Sequence, residues 1–238
     1  MTDDRLYFRQ LLAGRDFAQG DPLARQMVNL VYLIGDRVSG EAVAVDPAYA
    51  PGEIVEMLEA DGMRLTGVLA THYHSDHVGG DLFGHDIAGI AGLLELVAVP
   101  IHVQQYEAPW IERTTGVGRE SLLAHASDDL LLVGEIEIRL LHTPGHTPGS
   151  QCFLVDGRLV AGDTLFLQGC GRTDLPGSDP DAMYDSLVNR LAKLPDDTIV
   201  YPGHLYSPKP SASLGETKLR NPVLAPRSAE EWLGLFGG

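Results

Sequence analysis

Apolar and polar residues alternate along several short segments of the chain, with the period of a half-buried β-strand. Glu135–Leu141 sets Ile and Leu against charged residues at alternate positions, and Met27–Gly35 is rich in Val, Tyr, Leu and Ile. The dipeptide Asp156-Gly157 is typical of a hairpin turn between two strands. Strands are therefore predicted at Leu6–Leu12, Met27–Gly35, Glu41–Val45, Leu65–Ala70, Pro100–Val103, Glu135–Leu141, Gln151–Val155, Arg158–Ala161 and Thr198–Tyr201.

Three segments between these strands have the pattern of helices. Pro51–Asp61 begins with proline, which is favoured in the first helical turn, and repeats apolar residues at helical spacing. Ile87–Val97 is a second predicted helix, and Asp179–Lys193 is a third with an acidic first turn. Residues 105–130 show no clear period, and residues 205–238 are expected to form a C-terminal tail, extended and then helical.

Strands, a helix, and a strand that ends in a histidine-bearing loop follow one another in each half of the sequence. This order predicts an α+β fold in which two mixed β-sheets form a sandwich flanked by helices, with the polar loops at one edge. No short repeat and no linker divides the sequence. Residues 1–238 are therefore expected to form a single domain.

Composition and charge narrow the classes of partner. The hydrophobic content of 44% and the charged content of 21% are ordinary for a globular protein. A net charge of −16 disfavours nucleic acids and anionic membrane surfaces as partners. The acidic start MTDDRLYFRQ does not resemble a signal peptide, and no apolar run is long enough to span a bilayer. With two cysteines and no CxxC spacing, the protein is expected to be cytoplasmic.

The segment Thr71–His77 carries the strongest chemical signal. It contains three histidines and one aspartate directly after a predicted buried strand. Imidazole nitrogen and carboxylate oxygen are ligands of divalent metals such as zinc, and a loop at a strand end can turn alternate side chains toward one ion. The alternative is a solvated loop that is rich in histidine by chance, which such close clustering disfavours.

The pattern His72-x-His74-x-Asp76-His77 resembles the signature of the metallo-β-lactamase fold superfamily. Later motifs follow in that family's order, at Thr143–Gly149, Gly162–Thr164 and Tyr201–His204. The resemblance extends to about Leu224 and implies a four-layer αββα sandwich. It implies a first metal on His72, His74 and His146, a bridging Asp163, and a second metal on Asp76, His77 and His204.

The same resemblance implies two divalent ions, expected to be zinc, and a bracing role for Asp46 beside the ligand loop. Two such ions can share a hydroxide, lower the pKa of water toward about 7 and polarise a carbonyl. Asp76 and Tyr206 are the candidate catalytic residues. No serine or cysteine nucleophile is needed.

Gly169–Asp174 is similar to two groups of that superfamily. One is the glyoxalase II type of hydroxyacylglutathione hydrolase, and the other is the iron-dependent persulfide dioxygenases. We expect thioester hydrolysis, with a small glutathione or other thiol derivative as substrate. The alternative is a dioxygenase with one Fe(II) on His72, His146 and Asp163, a set that leaves positions open for O₂. A non-catalytic binding module is a third, disfavoured class.

Substrate contacts are implied at Arg172 and Tyr206, the first for a carboxylate and the second as a hydrogen-bond donor. The alternatives are a surface ion pair of Arg172 with Asp174 or Asp179, and ordinary packing for Tyr206. Residues 84–126 are longer than in compact members of both groups and are expected to be an insertion or lid. Both a monomer and a homodimer are compatible with the sequence. His85, His102, His125 and His142, and both cysteines, are expected to lie outside the ligand set.

Overall fold

A computed structural model describes residues 5–226 and 228–236 as two six-stranded β-sheets flanked by helices. The N-terminal half of the chain forms β1 (Leu6–Leu12), α1 (Pro22–Met27), β2 (Leu30–Asp36), β3 (Glu41–Val45), α2 (Pro51–Ala60), β4 (Arg64–Leu69), α3 (Ser75–Val78), β5 (Gly80–Leu82), β6 (His85–Ile87), α4 (Ile90–Leu96), β7 (Ile101–Gln104), α5 (Ala108–Thr115) and β8 (Leu122–His125). The C-terminal half forms β9 (Leu130–Val133), β10 (Ile136–His142), β11 (Gln151–Val155), β12 (Arg158–Gly162), α6 (Pro180–Tyr184), β13 (Ile199–Pro202), β14 (Ala212–Ser213), α7 (Leu214–Arg220) and α8 (Ala229–Phe236).

Both sheets mix parallel and antiparallel neighbours. The first has the order β1-β2-β3-β4-β7-β8, in which the pairs from β3 onward are parallel. The second has the order β14-β13-β12-β11-β10-β9, in which β12 and β13 are parallel and the other pairs are antiparallel. A separate two-stranded hairpin is formed by β5 and β6.

Side-chain alternation along the strands creates three apolar layers. In β2, Leu30, Tyr32 and Ile34 belong to the layer between the two sheets, while Val31 and Leu33 belong to the layer under the helices of the first sheet. A third layer lies between the second sheet and the helices of the C-terminal region, where Trp232 is buried. Because each sheet is covered on both faces, the predicted α+β fold, a four-layer αββα sandwich of two mixed sheets flanked by helices, is confirmed.

The predicted strands and helices are present with small shifts of their ends. Of the predicted helix Asp179–Lys193, Asp179 is the N-cap and the rest is helical, passing from α6 through a π-helical segment, Asp185–Arg190, into a 3₁₀ turn, Leu191–Lys193. The short strand β9 is not among the predicted elements, and the segment 105–130 contains α5 and β8. Within the described residues, no helix is long and apolar enough to cross a membrane.

The expected insertion, 84–126, takes part in the first sheet. Its strands β7 and β8 pair in parallel at the edge of that sheet, so they cannot move as a lid without breaking the pairing. Of this region, Thr114 at the end of α5 lies beside the polar loops, and so does Phe83 of the β5–β6 turn, which directly precedes the region. A lid role for the segment, and a single domain over 1–238, stay predictions.

Candidate metal centre

Polar loops that follow four strands meet at one edge of the sandwich. Asp46 follows β3, and His72 and His74 lie in the loop after β4. Asp163 follows β12, and His204 follows β13. Since β3 is parallel to β4 and β12 is parallel to β13, the carboxyl ends of each pair coincide. The fold thereby brings side chains from distant regions of the sequence together.

His72, His74 and His146 form a first cluster. Nδ1 of His74 lies 3.0 Å from Nε2 of His72 and 3.0 Å from Nε2 of His146. The outer nitrogens of the other two rings are engaged, since Nδ1 of His146 donates to the carbonyl oxygen of Arg172 at 2.8 Å and Nδ1 of His72 lies 2.9 Å from Oγ1 of Thr71. Both Nε2 atoms therefore direct lone pairs inward, where a cation would offset their repulsion.

Asp76, His77 and His204 form a second cluster on the other side. Nε2 of His77 lies 3.1 Å from Nε2 of His204, and Oδ2 of Asp76 lies 3.4 Å from the latter atom. Nδ1 of His204 donates to the carbonyl oxygen of Met27, and Nδ1 of His77 donates to Asp46. In the neutral rings, these bonds again leave lone pairs on both inner nitrogens.

Asp163 lies between the two clusters. Its carboxylate oxygens are 3.4 Å from Nε2 of His77, 3.3 Å from Nε2 of His204 and 3.8 Å from Nε2 of His146. Oδ1 is buried and has no hydrogen-bond partner among the described residues. A Cβ at Gly203 would collide with this oxygen, so the absence of a side chain there keeps the position open. A buried anionic oxygen without a donor is well suited to a metal ion.

The charges of the centre also favour a cation. Burial alone would lower the pKa of His77, but the carboxylates of Asp76 and Asp163 raise it to about 10. A position that attracts a proton so strongly in the absence of a metal is one where a divalent ion would be held. The residues therefore fit a divalent cation at each cluster. The seven side chains gathered here are those predicted as ligands, namely His72, His74, Asp76, His77, His146, Asp163 and His204.

Asp46 is a brace of this centre, that is, a residue whose hydrogen bonds hold the candidate ligands in position. Its backbone has φ of 52°, a left-handed conformation that is uncommon for a residue other than glycine. One carboxylate oxygen accepts from the backbone N–H of Thr71 at 2.8 Å, and the other accepts from the Thr71 hydroxyl and from Nδ1 of His77. Because both oxygens are used in this way, Asp46 orients the ligands, as the family resemblance implies.

Glu107 is a second brace, which sequence reasoning missed. It is fully buried just before α5, where Oε1 accepts from the backbone N–H of Tyr73 and the hydroxyl of Thr147, both at 2.8 Å. Oε2 accepts from the backbone N–H of Gly149 at 2.6 Å. Burial raises its pKa to about 7 although these donors favour the charged form. Glu107 thus ties together the two loops that carry the first cluster.

A cleft of about 620 Å³ opens above the centre, and its lining includes Arg172 and Tyr206. The Arg172 guanidinium donates two hydrogen bonds of 2.8 Å to Asp174, which is one of the ion pairs considered from the sequence. Tyr206 stacks on His204 with ring centroids 4.7 Å apart. Partial burial raises the pKa of Tyr206, so its hydroxyl stays protonated at neutral pH.

The other histidines and the cysteines have different surroundings. None of His85, His102, His125 and His142 belongs to a metal-binding group among the described residues. His102 and His125 instead lie 2.9 Å apart, Nδ1 to Nε2. Cys152 is buried in β11, whereas Cys170 lines the cleft.

Comparison with known proteins agrees with this geometry. The family description "Metallo-beta-lactamase superfamily" matches residues 25–204. The chain belongs to this superfamily. The human mitochondrial persulfide dioxygenase ETHE1 is 31% identical over 239 residues, which cover 96% of this chain and 86% of that protein. A hydroxyacylglutathione hydrolase of Methylococcus capsulatus is 39% identical over 186 residues, or 75% of this chain and 63% of that protein.

A solved structure has closely similar architecture. The crystal structure of ETHE1 from Myxococcus xanthus superimposes with a TM-score of 0.78 at 30% sequence identity, covering 96% of this chain and 89% of that one. The resemblance stated from the motifs is thereby confirmed. The similar proteins include both a persulfide dioxygenase and a hydroxyacylglutathione hydrolase, so similarity alone does not identify the reaction.

Proposed function

We propose that the chain is a metal-dependent hydrolase of the glyoxalase II type, which cleaves a thioester or a similar small ester. The observation that supports this most is the pair of clusters on either side of Asp163, because a dinuclear hydrolytic centre needs two such sites. The substrate would be a small thiol derivative, in keeping with the negative net charge that disfavours nucleic acids.

The proposed ligand sets follow the two clusters. His72, His74 and His146 would hold one ion, Asp76, His77 and His204 would hold the other, and Asp163 would bridge them. Histidine nitrogen with few carboxylate oxygens suits zinc best. When bound, two such ions would polarise the substrate carbonyl and lower the pKa of a water molecule.

Residues of the chain itself would orient the reactants. Oδ2 of Asp76 accepts from the amide of Asn29 at 3.1 Å, and neighbouring imidazoles keep the pKa of Asp76 low despite its burial, so its carboxylate stays ionised, as its proposed catalytic role requires. The protonated hydroxyl of Tyr206 can donate a hydrogen bond to a substrate in the cleft. Arg172 can exchange Asp174 for a substrate carboxylate, because both side chains are exposed.

A persulfide dioxygenase is the second candidate. The observation that favours it is coverage, since the similarity to the human dioxygenase extends over 96% of this chain, whereas that to the hydroxyacylglutathione hydrolase covers 75%. One Fe(II) would then lie on His72, His146 and Asp163, a facial set of two histidines and one carboxylate. His77 and His204 would be neighbours of the metal and not ligands.

The two candidates make different use of the second cluster. We would purify the parent, His77→Ala and His204→Ala anaerobically, and measure metal content, thioester hydrolysis and persulfide-dependent O₂ uptake. A hydrolase should hold about two zinc ions per chain, and each variant should retain about one and lose roughly 10²-fold in kcat. His85→Ala is the matched control, because His85 is exposed on β6.

Iron retention together with persulfide-dependent O₂ uptake would contradict the hydrolase proposal. If the parent consumes O₂ with persulfide, and both variants keep their iron and most of that uptake, the chain is a dioxygenase and the hydrolase proposal is wrong. Loss of metal from His85→Ala would show that the assay reports general damage and would remove the support that the two variants give.

A further inference from the structure

The lining of the cleft is mixed. Gln168, Arg172 and Tyr206 contribute polar groups, and Phe166 packs against Tyr206 with ring centroids 5.2 Å apart. A group of largely apolar residues, the apolar wall, comprises Tyr73, Leu82, Phe83, Leu175 and Pro176. Such a lining suits a ligand with one charged and one apolar end.

Phe83 is at the tip of the hairpin and is 94% exposed while lining the cleft. It adjoins other apolar residues of the same cleft, so its ring can contribute to one continuous apolar surface for a ligand. The hairpin is held in place by the hydroxyl of Ser75, which donates to the carbonyl oxygen of Asp81 at 2.8 Å. Ser75 begins the same helix, α3, that carries Asp76 and His77.

The turn of the hairpin is an unusual place for phenylalanine. Phe83 has φ of 53° and Gly84 has φ of 84°, and two positive values between paired strands are those of a type I′ turn. Asn, Asp or Gly is preferred at the first of these positions, and a bulky aromatic residue is disfavoured there. Local stability therefore does not account for the aromatic side chain, whereas ligand contact would.

The rest of the apolar wall is rigid. The ring of Tyr73 stacks on Trp110 with centroids 4.9 Å apart, and the Tyr73 hydroxyl donates to the carbonyl oxygen of Pro176 at 3.0 Å. These contacts fix Tyr73 and the Pro176 loop relative to the ligand loop. A preformed apolar surface of this kind reduces the entropic cost of binding an apolar group.

We infer that Phe83 and the apolar wall recognise the acyl group of the substrate, and that the substrate class is thioesters with a bulky apolar or aromatic acyl group on an anionic thiol. This inference rests on the proposed function. In the reaction water adds to the carbonyl carbon, the carbon–sulfur bond breaks, and a carboxylic acid and a thiol are released. The anionic thiol lies toward Arg172, and the acyl group lies under Phe83.

The test compares two thioesters of glutathione, S-phenylacetyl and S-acetyl, which differ in the acyl group alone. The parent should prefer the phenylacetyl compound in kcat/KM by about tenfold, and Phe83→Ala should remove most of that ratio, mainly through KM. Phe83→Asn separates recognition from folding, because asparagine suits the turn: its melting temperature should equal or exceed that of the parent while the preference is lost. Leu219→Ala, at a residue 88% exposed on α7, should keep the parent ratio.

Binding provides a readout that does not depend on turnover. Calorimetric titration with S-(2-phenylethyl)glutathione and S-ethylglutathione, which cannot be hydrolysed, should show a preference for the phenylethyl compound that Phe83→Asn abolishes. Hydrolysis by the parent with an unchanged ratio in both Phe83 variants would overturn the inference and leave the proposed function standing. Phe83-dependent binding without any hydrolysis would support the apolar site and count against the hydrolase proposal, and absence of both would overturn both.

Discussion

Glu107→Gln tests whether the buried carboxylate that joins the two ligand loops controls metal affinity. The parent carboxylate accepts from Tyr73 and Thr147 on one oxygen and from Gly149 on the other. A glutamine has one acceptor oxygen, so its NH₂ group must face either the Tyr73 or the Gly149 backbone N–H. One charge-assisted hydrogen bond is lost and one buried donor is left unpaired, which should cost about 2–3 kcal/mol of unfolding free energy.

The loops that Glu107 joins carry His72, His74 and His146, so the loss should also reach the metal. We expect zinc affinity to fall about 10- to 100-fold, as for other groups that orient metal ligands. Urea unfolding and competition with a chromophoric chelator would measure the two quantities. Both should be done near pH 8, because burial raises the pKa of Glu107 to about 7 and the carboxylate should be charged in the parent.

Glu112→Gln is the matched control for this experiment. Glu112 lies on α5, close in sequence to Glu107, but its partner is Arg119 on the surface. The same substitution there should change the unfolding free energy by less than about 0.5 kcal/mol. If Glu107→Gln destabilises the fold but binds zinc as tightly as the parent, Glu107 is a packing residue and its assignment as a brace is refuted.

Two further predictions concern charges at the cleft and at the sheet edge. Arg172→Ala should raise KM for an anionic thioester about 10-fold and leave KM for an uncharged ester nearly unchanged. An equal rise in KM for both substrates would exclude substrate recognition by Arg172, and the ion pair with Asp174 would then be its role. The Arg5 guanidinium lowers the pKa of the buried Asp36 carboxyl, so this pair stabilises the fold above the ordinary pKa of about 4 and loses that contribution as pH falls. The difference in melting temperature between the parent and Asp36→Asn should therefore be largest at neutral pH and shrink toward pH 3, and a constant difference would contradict this account.

Four of the seven candidate ligands could be predicted from the residues alone because they are local in sequence, whereas His146, Asp163 and His204 were predicted from the family resemblance. His72, His74, Asp76 and His77 fall within one short segment, and few roles other than metal binding require that composition. The sandwich followed from strand periodicity together with the family resemblance. The helical turn α3 within the ligand loop could not be predicted, since four residues are too few to display a period.

Glu107 and Phe83 could not be predicted, for different physical reasons. Glutamate is usually a surface residue, and burial of Glu107 depends on donors from two loops that are distant in sequence. Phe83-Gly84 lacks the Asn-Gly or Asp-Gly pattern of a type I′ turn, and the polar three-residue strands beside it give no alternation to recognise. In both cases the tertiary structure overrides the preference of the residue.

Both residues lie between the ligand motifs of His77 and His146. This stretch of chain therefore contributes to the metal centre in two independent ways, by positioning ligands and by lining the cleft. Glu107 positions the histidine loops through hydrogen bonds. Phe83 contributes apolar surface to the cleft on the open side of the centre. Glu107 is fully buried and Phe83 is almost fully exposed, so the two side chains have different surroundings. The effects of Glu107→Gln on metal affinity and of Phe83→Asn on acyl preference should therefore add in the double variant. A strongly non-additive result would mean that the hairpin and the histidine loops move together, and that the segment controls substrate and metal through one conformational change.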